Sequence, residues 1–387
     1  MSDLRAELVA SGAAVLAEEA AGGAEGYRVK PRSVVELARA VAVLRAHRLP
    51  VRVRGAGDEA DSPLAGGALL ELAALDRIAS VDGEAGVARV EAGCSVASLE
   101  AAARREGCTL GPLLPSVRAG SVGHWLAGPT RGERGVPGAR RETAALSVAV
   151  VLDGARIAES RAAPRSAAGP DLDHLALGAG GRLSVIAGAW IRLLPEAPLV
   201  AAVWEGASTA ACVGALERLC LDRLAPARAR LAVAPDRGAR LAAAWEGARQ
   251  APLHRERAAR ALRESVPALR EAKEEGDVAA AFLRAPAAAH AVEVDARWED
   301  LRAWAGQPAA SAPGAELSLC GLHAGGAFAV LSVAGAETRP GEACAASARG
   351  AGARILAPRR LRDHELSWER MGAGDAWKRL LSALGSG

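Results

Sequence analysis

The stretch from Ser33 to Gly55, SVVELARAVAVLRAHRLPVRVRG, constrains the fold of this chain more than any other. Ser33 reads as a helix N-cap, Glu36 stands three residues on as its reciprocal cap, and apolar residues recur at helical spacing until Pro50 ends the run. VRVRG (51–55) then reads as a strand that runs into a glycine-containing turn. Strands and helices alternate in this way along the whole chain, which predicts an α+β protein, and no fixed internal repeat is visible.

The elements around this unit follow the same logic. Residues 1–26 read as an amphipathic helix and a Gly-rich turn, AGGAEG, and YRVKP (27–31) as a short strand. Three strands, ALLEL, RIASVD and VARVEAG, are expected between Gly66 and Gly93, then a helix from Ser95 through Arg105 capped by Ser95 or Ser98. LGPLLPSVRAGSVGHWLAG reads as loop, ALSVAVVLDG (145–154) as an apolar strand, and GRLSVIAGAWIRLLP (181–195) as a strand pair closed by proline. The composition changes after Pro198. VAAVWEG is a strand, STAACVGALERLCLDRL a helix, and the Arg/Glu-rich stretch 238–285 reads as long solvated helices. HAVEVDARWEDLRAWAG reads as strand–helix, with Trp298 and Trp304 in the core, and ELSLCGLHAGGAFAVLSVAG as strand–turn–strand. DAWKRLLSAL (375–384) is the last amphipathic helix expected.

Composition narrows the function classes. A chain of 387 residues exceeds one small core. Half the residues are apolar, yet no uninterrupted run is long enough for a membrane helix. The start, MSDLRAELVASGAAV, lacks an export signal, which predicts a cytoplasmic protein. A net charge of +3 is too balanced for a general nucleic-acid binder. Lysine occurs only at Lys30, Lys273 and Lys378, so the basic charge is almost wholly arginine. Cys94, Cys108, Cys212, Cys220, Cys320 and Cys344 form no CxxC pair and sit mostly among apolar neighbours, so reduced, mostly buried thiols are expected. No histidine spacing suggests a metal site.

The order of elements resembles the FAD-binding PCMH-type fold of the vanillyl-alcohol oxidase superfamily. ALLELAALDRI, VARVEAGCSVASLEAAARREG, PSVRAGSVGHWLAGPTRG and DLDHLALGAGGRLSVIAGAWIRLLP carry the likeness over roughly residues 27–198. The wording is nearest to the alkyldihydroxyacetonephosphate synthase subfamily, through Trp125, DARWEDL and LHAGGAFAVLSV. The resemblance implies a two-subdomain FAD-binding domain (1–198), an α+β cap of antiparallel sheet and helices (199–340), and a C-terminal segment (341–387) returning to the first domain. It also implies non-covalent FAD, a small organic or lipid-type substrate held between flavin domain and cap, and a homo-oligomer or an active paralogous subunit as partner. Backbone N–H groups of Gly-rich turns would then point at the pyrophosphate, where a side chain would block approach. The cofactor-binding positions carried over are Arg54, Gly55, Ala56, Gly57 and Asp58 at the first turn and Ser116, Ser121, Val122, Gly123, His124 and Gly128 around the second. Gly178, Gly180 and Ile186 belong to the third.

Several positions depart from the family pattern. The first turn reads Gly55-Ala56-Gly57-Asp58-Glu59, with Asp61 beyond, where the family has three glycines and then hydroxyl residues or a linking histidine. Like charges ~4 Å apart cost on the order of 1 kcal/mol in water and more near a protein surface, so these carboxylates oppose a diphosphate. His124 replaces a glycine of the second turn, and the third reads Gly180-Gly181-Arg182-Leu183-Ser184. GARILAPRRL (352–361) lacks the histidine run of the synthase-like relatives, and Tyr27 lies too far upstream to serve as their flavin-side tyrosine. Arg359, Arg360 and Arg362 offer a basic face or an anion contact. Two functions follow: an FAD-linked oxidoreductase or synthase, or a flavin-free relative used as a binding or subunit module. The departures predict weak or absent FAD binding.

Overall fold

The computed structural model describes residues 2–19, 25–55, 66–111, 113, 115–128, 141–152, 155–163, 173–181, 183–206, 208–234, 238–272, 292–306, 316–332, 354–355 and 365–366. These divide into two compact units, one holding the described residues through Glu196 together with 365–366, the other those from Ala197 to 355.

The first unit opens with α1 (Ser2–Ala10), β1 (Ala14–Glu19), β2 (Glu25–Lys30), α2 (Val34–Ala46), β3 (Val51–Arg54) and β4 (Ala68–Glu71). The single helix expected over 1–26 is therefore corrected: it stops at Ala10, and β1 pairs antiparallel with β2 from Ala14↔Lys30 to Glu19↔Glu25. Pairing with a neighbouring strand overrides the local helix preference of AVLAEE. Ser33 caps α2 by accepting the Glu36 amide at 3.2 Å. The Glu36 carboxylate accepts from the Arg32 amide at 2.8 Å, one residue before the cap expected from sequence. Leu37, Val41 and Leu44 on the inner face of α2 are wholly buried, each contributing about 2 kcal/mol relative to exposure.

β4 lies between β2 and β3, parallel to both, with Ala68 opposite Tyr27 and Val51. Tyr27 is thus a core residue of this sheet. Next come β5 (Ile78–Asp82), β6 (Val87–Glu91), α3 (Val96–Arg105), β7 (Cys108–Thr109), α4 (Pro115–Ala119), α5 (Val122–Ala127) and α6 (Arg141–Ala144). Then follow β8 (Ala145–Val151), β9 (Ile157–Glu159), α7 (Asp173–Ala176), β10 (Val185–Arg192) and β11 (Leu194–Pro195). The second sheet has the order β5-β6-β10-β8-β9, antiparallel throughout. β8 and β10 are buried at nearly every position, as strands covered on both faces must be. Two expectations are corrected here. The stretch read as loop contains α4 and α5, and β10 and β11 form no hairpin, since β11 pairs with β7.

The second unit consists of β12 (Leu199–Gly206), α8 (Thr209–Leu221), β13 (Arg228–Ala234), β14 (Gly238–Glu246), α9 (Gln250–Ser265), β15 (Leu269–Glu271), β16 (Val292–Arg297), α10 (Trp298–Ala305), β17 (Glu316–His323), β18 (Gly326–Ser332) and β19 (Arg354–Ile355). Its strands form one eight-stranded antiparallel sheet, β15-β12-β14-β13-β17-β18-β16-β19. One core joins Trp204, Leu231, Leu241 and Trp245 of the sheet to Leu216, Leu262, Trp298 and Trp304 of α8, α9 and α10. The helices thus share one side of the sheet. Gly238–Glu246, expected as helix, is strand β14: Leu241, Ala243 and Trp245 alternate into that core. β20 (Glu365–Leu366) belongs to the first unit, antiparallel to β3. The helix expected at 375–384 lies outside the described residues.

Candidate functional site

The site in the first unit is built from three separate segments that approach one another without side chains in the way. Gly55 follows β3 directly, and a β-carbon there would overlap the Ser121 hydroxyl. Ser121 is fully buried, bridges to Ser95, and caps α5 by accepting the His124 amide at 3.2 Å. Gly123 sits as tightly on the other side, where a β-carbon would stand 3.0 Å from the Ala92 carbonyl oxygen. The third segment, Gly178 to Gly181, takes its shape from left-handed backbone: Gly178, Gly180 and Gly181 have φ of 72°, 63° and 74°.

These segments are tied together by their own backbone. The Val122 amide donates to Cys94 O at 2.9 Å, the Gly123 amide to Ala92 O at 2.7 Å, and the Trp125 amide to Ser121 O at 2.9 Å. Gly178 N donates to Leu126 O at 2.9 Å and Gly180 N to Ala127 O at 2.7 Å. The amides of Val122, Gly123, His124, Gly178 and Gly180 are therefore all engaged within the protein. They satisfy the protein's own acceptors, as buried amides must, and their contribution is the close approach of the chain.

A small cleft, of about 50 Å³, lies where these turns meet. Gly55, Ser121, Gly123, His124, Gly128, Gly180 and Ile186 line it, seven of the positions expected from sequence. Val53, Leu72, Ala92, Ala127, Gly181 and Val185 complete the wall and were missed. Alternation along VRVR and VIAGAWIR was the signal for the strand members. Arg54 ends β3 half-buried, Val122 points into the core with no exposed surface, and Gly178 supports the third turn; none of these three lines the cleft. Ala56, Gly57 and Asp58, with Glu59 and Asp61, lie outside the described residues. Ser116 lies in α4, with its side chain outside the described ones.

Arg141 is a supporting residue of the cleft that sequence reasoning overlooked. It is buried, donates from Nη1 to Gly128 O at 2.6 Å, and its Nε lies 3.3 Å from Glu142 Oε1. A β-carbon on Gly178 would overlap its guanidinium, so Arg141 underlies the third turn and ties the end of α5 to it.

The walls are chemically quiet. Among the described residues that line the cleft there is no lysine or arginine. Burial pushes the Cys94 thiol, just behind the second turn, up to about 11, helped by the charges of Asp76 and Glu91, so it carries no thiolate at neutral pH. Cys94, Cys108, Cys212 and Cys220 are free and buried; the side chains of Cys320 and Cys344 are not among those described. The described residues thus suit the flat, apolar ring system of a flavin.

Residues 26–159 match the family described as FAD binding domain. Over 172 residues, 43% of this chain and 37% of the relative, the sequence is 26% identical to the glycolate oxidase subunit GlcD of Bacillus subtilis (strain 168). The chain thus matches well under half the length of that relative. Among solved structures, an alkyldihydroxyacetonephosphate synthase superposes with a TM-score of 0.61 at 17% identity, covering 79% of this chain and 70% of the other. A p-cresol methylhydroxylase with substrate bound gives 0.60 at 15% identity, covering 85% and 81%. No helix among the described residues is long and apolar enough to cross a membrane. Residues 26–159 thus match an FAD binding domain, and the fold built around them is the one that the alkyldihydroxyacetonephosphate synthase and the p-cresol methylhydroxylase share.

Proposed function

We propose that this chain is an FAD-linked oxidoreductase-family protein that takes its flavin non-covalently and dissociably in the first-unit cleft and acts on a small organic or lipid-type substrate. The observation that carries the reading is the meeting of three glycine turns, after β3, at the start of α5 and before β10, on one apolar cleft. When bound, flavin supplies two-electron oxidation chemistry. The chain's own residues set the geometry: the Gly55–Ser121 approach fixes the width, Arg141 holds two of the turns, and Val53, Leu72, Val185 and Ile186 exclude water. Free, buried thiols suit a reducing compartment such as the cytoplasm.

A second reading, a flavin-free binding or subunit module beside an active paralogue, is favoured by one observation. The second- and third-turn amides are already spent on the protein's own carbonyls, and His124 lines the cleft. A titration separates the two. FAD added to wild-type protein and to the Asp58→Thr/Glu59→Ser/His124→Gly variant is followed by flavin fluorescence. We expect weak saturable binding in the wild type and about hundredfold tighter binding in the variant, equivalent to ~2.7 kcal/mol. Flavin that co-purifies stoichiometrically with wild type would show that the first-turn carboxylates do not oppose it. Absence of saturable binding in both proteins would establish the flavin-free reading.

A further inference from the structure

The first unit holds a second cavity, between α3 and α4, that shares no lining residue with the flavin cleft. Its shape begins in the spacing of α3. Val96, Leu99, Ala102 and Ala103 turn into the core, so Ala97, Glu100, Ala101 and Arg104, at helical spacing, form a ridge on another side. Alanine at two places on that ridge leaves a hollow, which α4 flanks with Arg118 and with Leu113 just before it. The hollow measures about 210 Å³. Val96 and Leu113 are buried at its floor, while Ala97, Ala101, Arg104 and Arg118 are exposed at its rim.

The chemistry of the walls says what fits. Both carboxylate oxygens of Glu100 are engaged. Oε1 accepts from the Thr109 hydroxyl and from Arg104 Nε, each at 2.8 Å, and Oε2 from the Leu110 amide at 2.7 Å. Arg104 also donates from Nη1 to Glu196. Two carboxylates answer its single charge, so the hollow is not built for an anion. Those bonds run in the plane of the guanidinium and hold that plane fixed. The faces of a guanidinium so held can stack on a flat ring, which a compact ammonium does less well. The alanine, valine and leucine walls are methyl and methylene surface, which favours an apolar body over water. Apolar cavities of about 150 Å³ take up benzene, so this one has the volume for a six-membered ring.

We propose that the hollow between α3 and α4 binds a monocyclic aromatic molecule, its ring seated on Val96 and Leu113 and stacked on Arg104. The assignment does not depend on the flavin. The test uses the full chain, with benzyl alcohol and its saturated counterpart cyclohexylmethanol as probes, titrated by ligand-observed NMR. Saturable uptake of benzyl alcohol is expected, about two- to fivefold tighter than that of cyclohexylmethanol. Ala101→Trp fills the hollow from the exposed side of α3 and abolishes that uptake; Ala97→Leu fills it by less and weakens it, should the larger substitution misfold. Arg104→Lys keeps the charge but loses the flat face, so the preference for the aromatic probe disappears while cyclohexylmethanol binds as before. FAD titration of the same variants stays at the wild-type value, so the fate of the flavin reading is measured separately. No saturable uptake of benzyl alcohol by wild type, uptake undiminished in the filled variants, or equal affinity for the two probes overturns the site.

Discussion

The cleft of the first unit and the sheet of the second are built by opposite means. Around the cleft, what matters is where side chains are missing: Gly55 against Ser121, Gly123 against Ala92, Gly178 against Arg141. In the second unit the decisive features are side chains that fill space, with Trp204 and Trp245 packed edge to face at 6.3 Å and the Trp245 indole donating to Leu224 O at 2.9 Å. A site made of close backbone approach keeps its shape while its chemistry drifts, because few of its atoms are interchangeable. A core made of large side chains depends on each of them for stability.

That contrast can be broken most forcefully at the tryptophans. Trp204→Ala removes a side chain with almost no exposure, and it should cost about 3–5 kcal/mol in denaturant unfolding followed by intrinsic fluorescence. A loss below ~1 kcal/mol would mean that the second unit tolerates a void, contrary to the comparison. Gly55→Ala should cost less, about 1–3 kcal/mol, by forcing Ser121 off its cap, yet it should abolish FAD uptake. Unchanged FAD affinity would show that the cleft does not depend on this approach.

Arg141→Met tests whether a cleft support acts through hydrogen bonding. It leaves the Gly128 carbonyl without its guanidinium donor and should destabilise by roughly 1–3 kcal/mol, with weaker FAD binding read in the same titration. The smallest effect concerns acid. Burial works to raise the Glu71 carboxyl, but hydrogen bonds and charge from Arg28 at 2.9 Å and Lys30 at 3.2 Å outweigh it and hold the group below its ordinary value of 4.5. A group depressed on folding contributes stability above its unfolded pKa and loses it as pH falls through the folded one. Glu71→Gln should therefore be destabilising at pH 7, by about 1 kcal/mol, and the difference from wild type should vanish under acid. A deficit that persisted below the folded pKa would assign the effect to packing.

The candidate site was legible in part. Ser121 was singled out from its place in GSVGHW, and it lines the cleft; what stayed hidden was that its hydroxyl is spent capping a helix two turns long. The two faces of β14 were hidden more completely. GARLAAAWE, rich in alanine, arginine and glutamate, carries helix-forming residues, and only its pairing with β12 and β13 makes Leu241, Ala243 and Trp245 one face and Arg240 the other.

By itself, the amino-acid sequence determined the order of most elements, the caps at Ser33 and Ser95, and the turns where glycine stands. Caps join residues three apart and turns depend on a few adjacent φ angles, so each is a local transaction. Only the tertiary structure decided which turn amides are spent, that Arg141 lies beneath Gly178, and that Arg228, Arg230 and Arg240 share one face of a sheet. Those outcomes depend on strand register and on contacts between segments far apart in the chain, where no local periodicity can encode the partner.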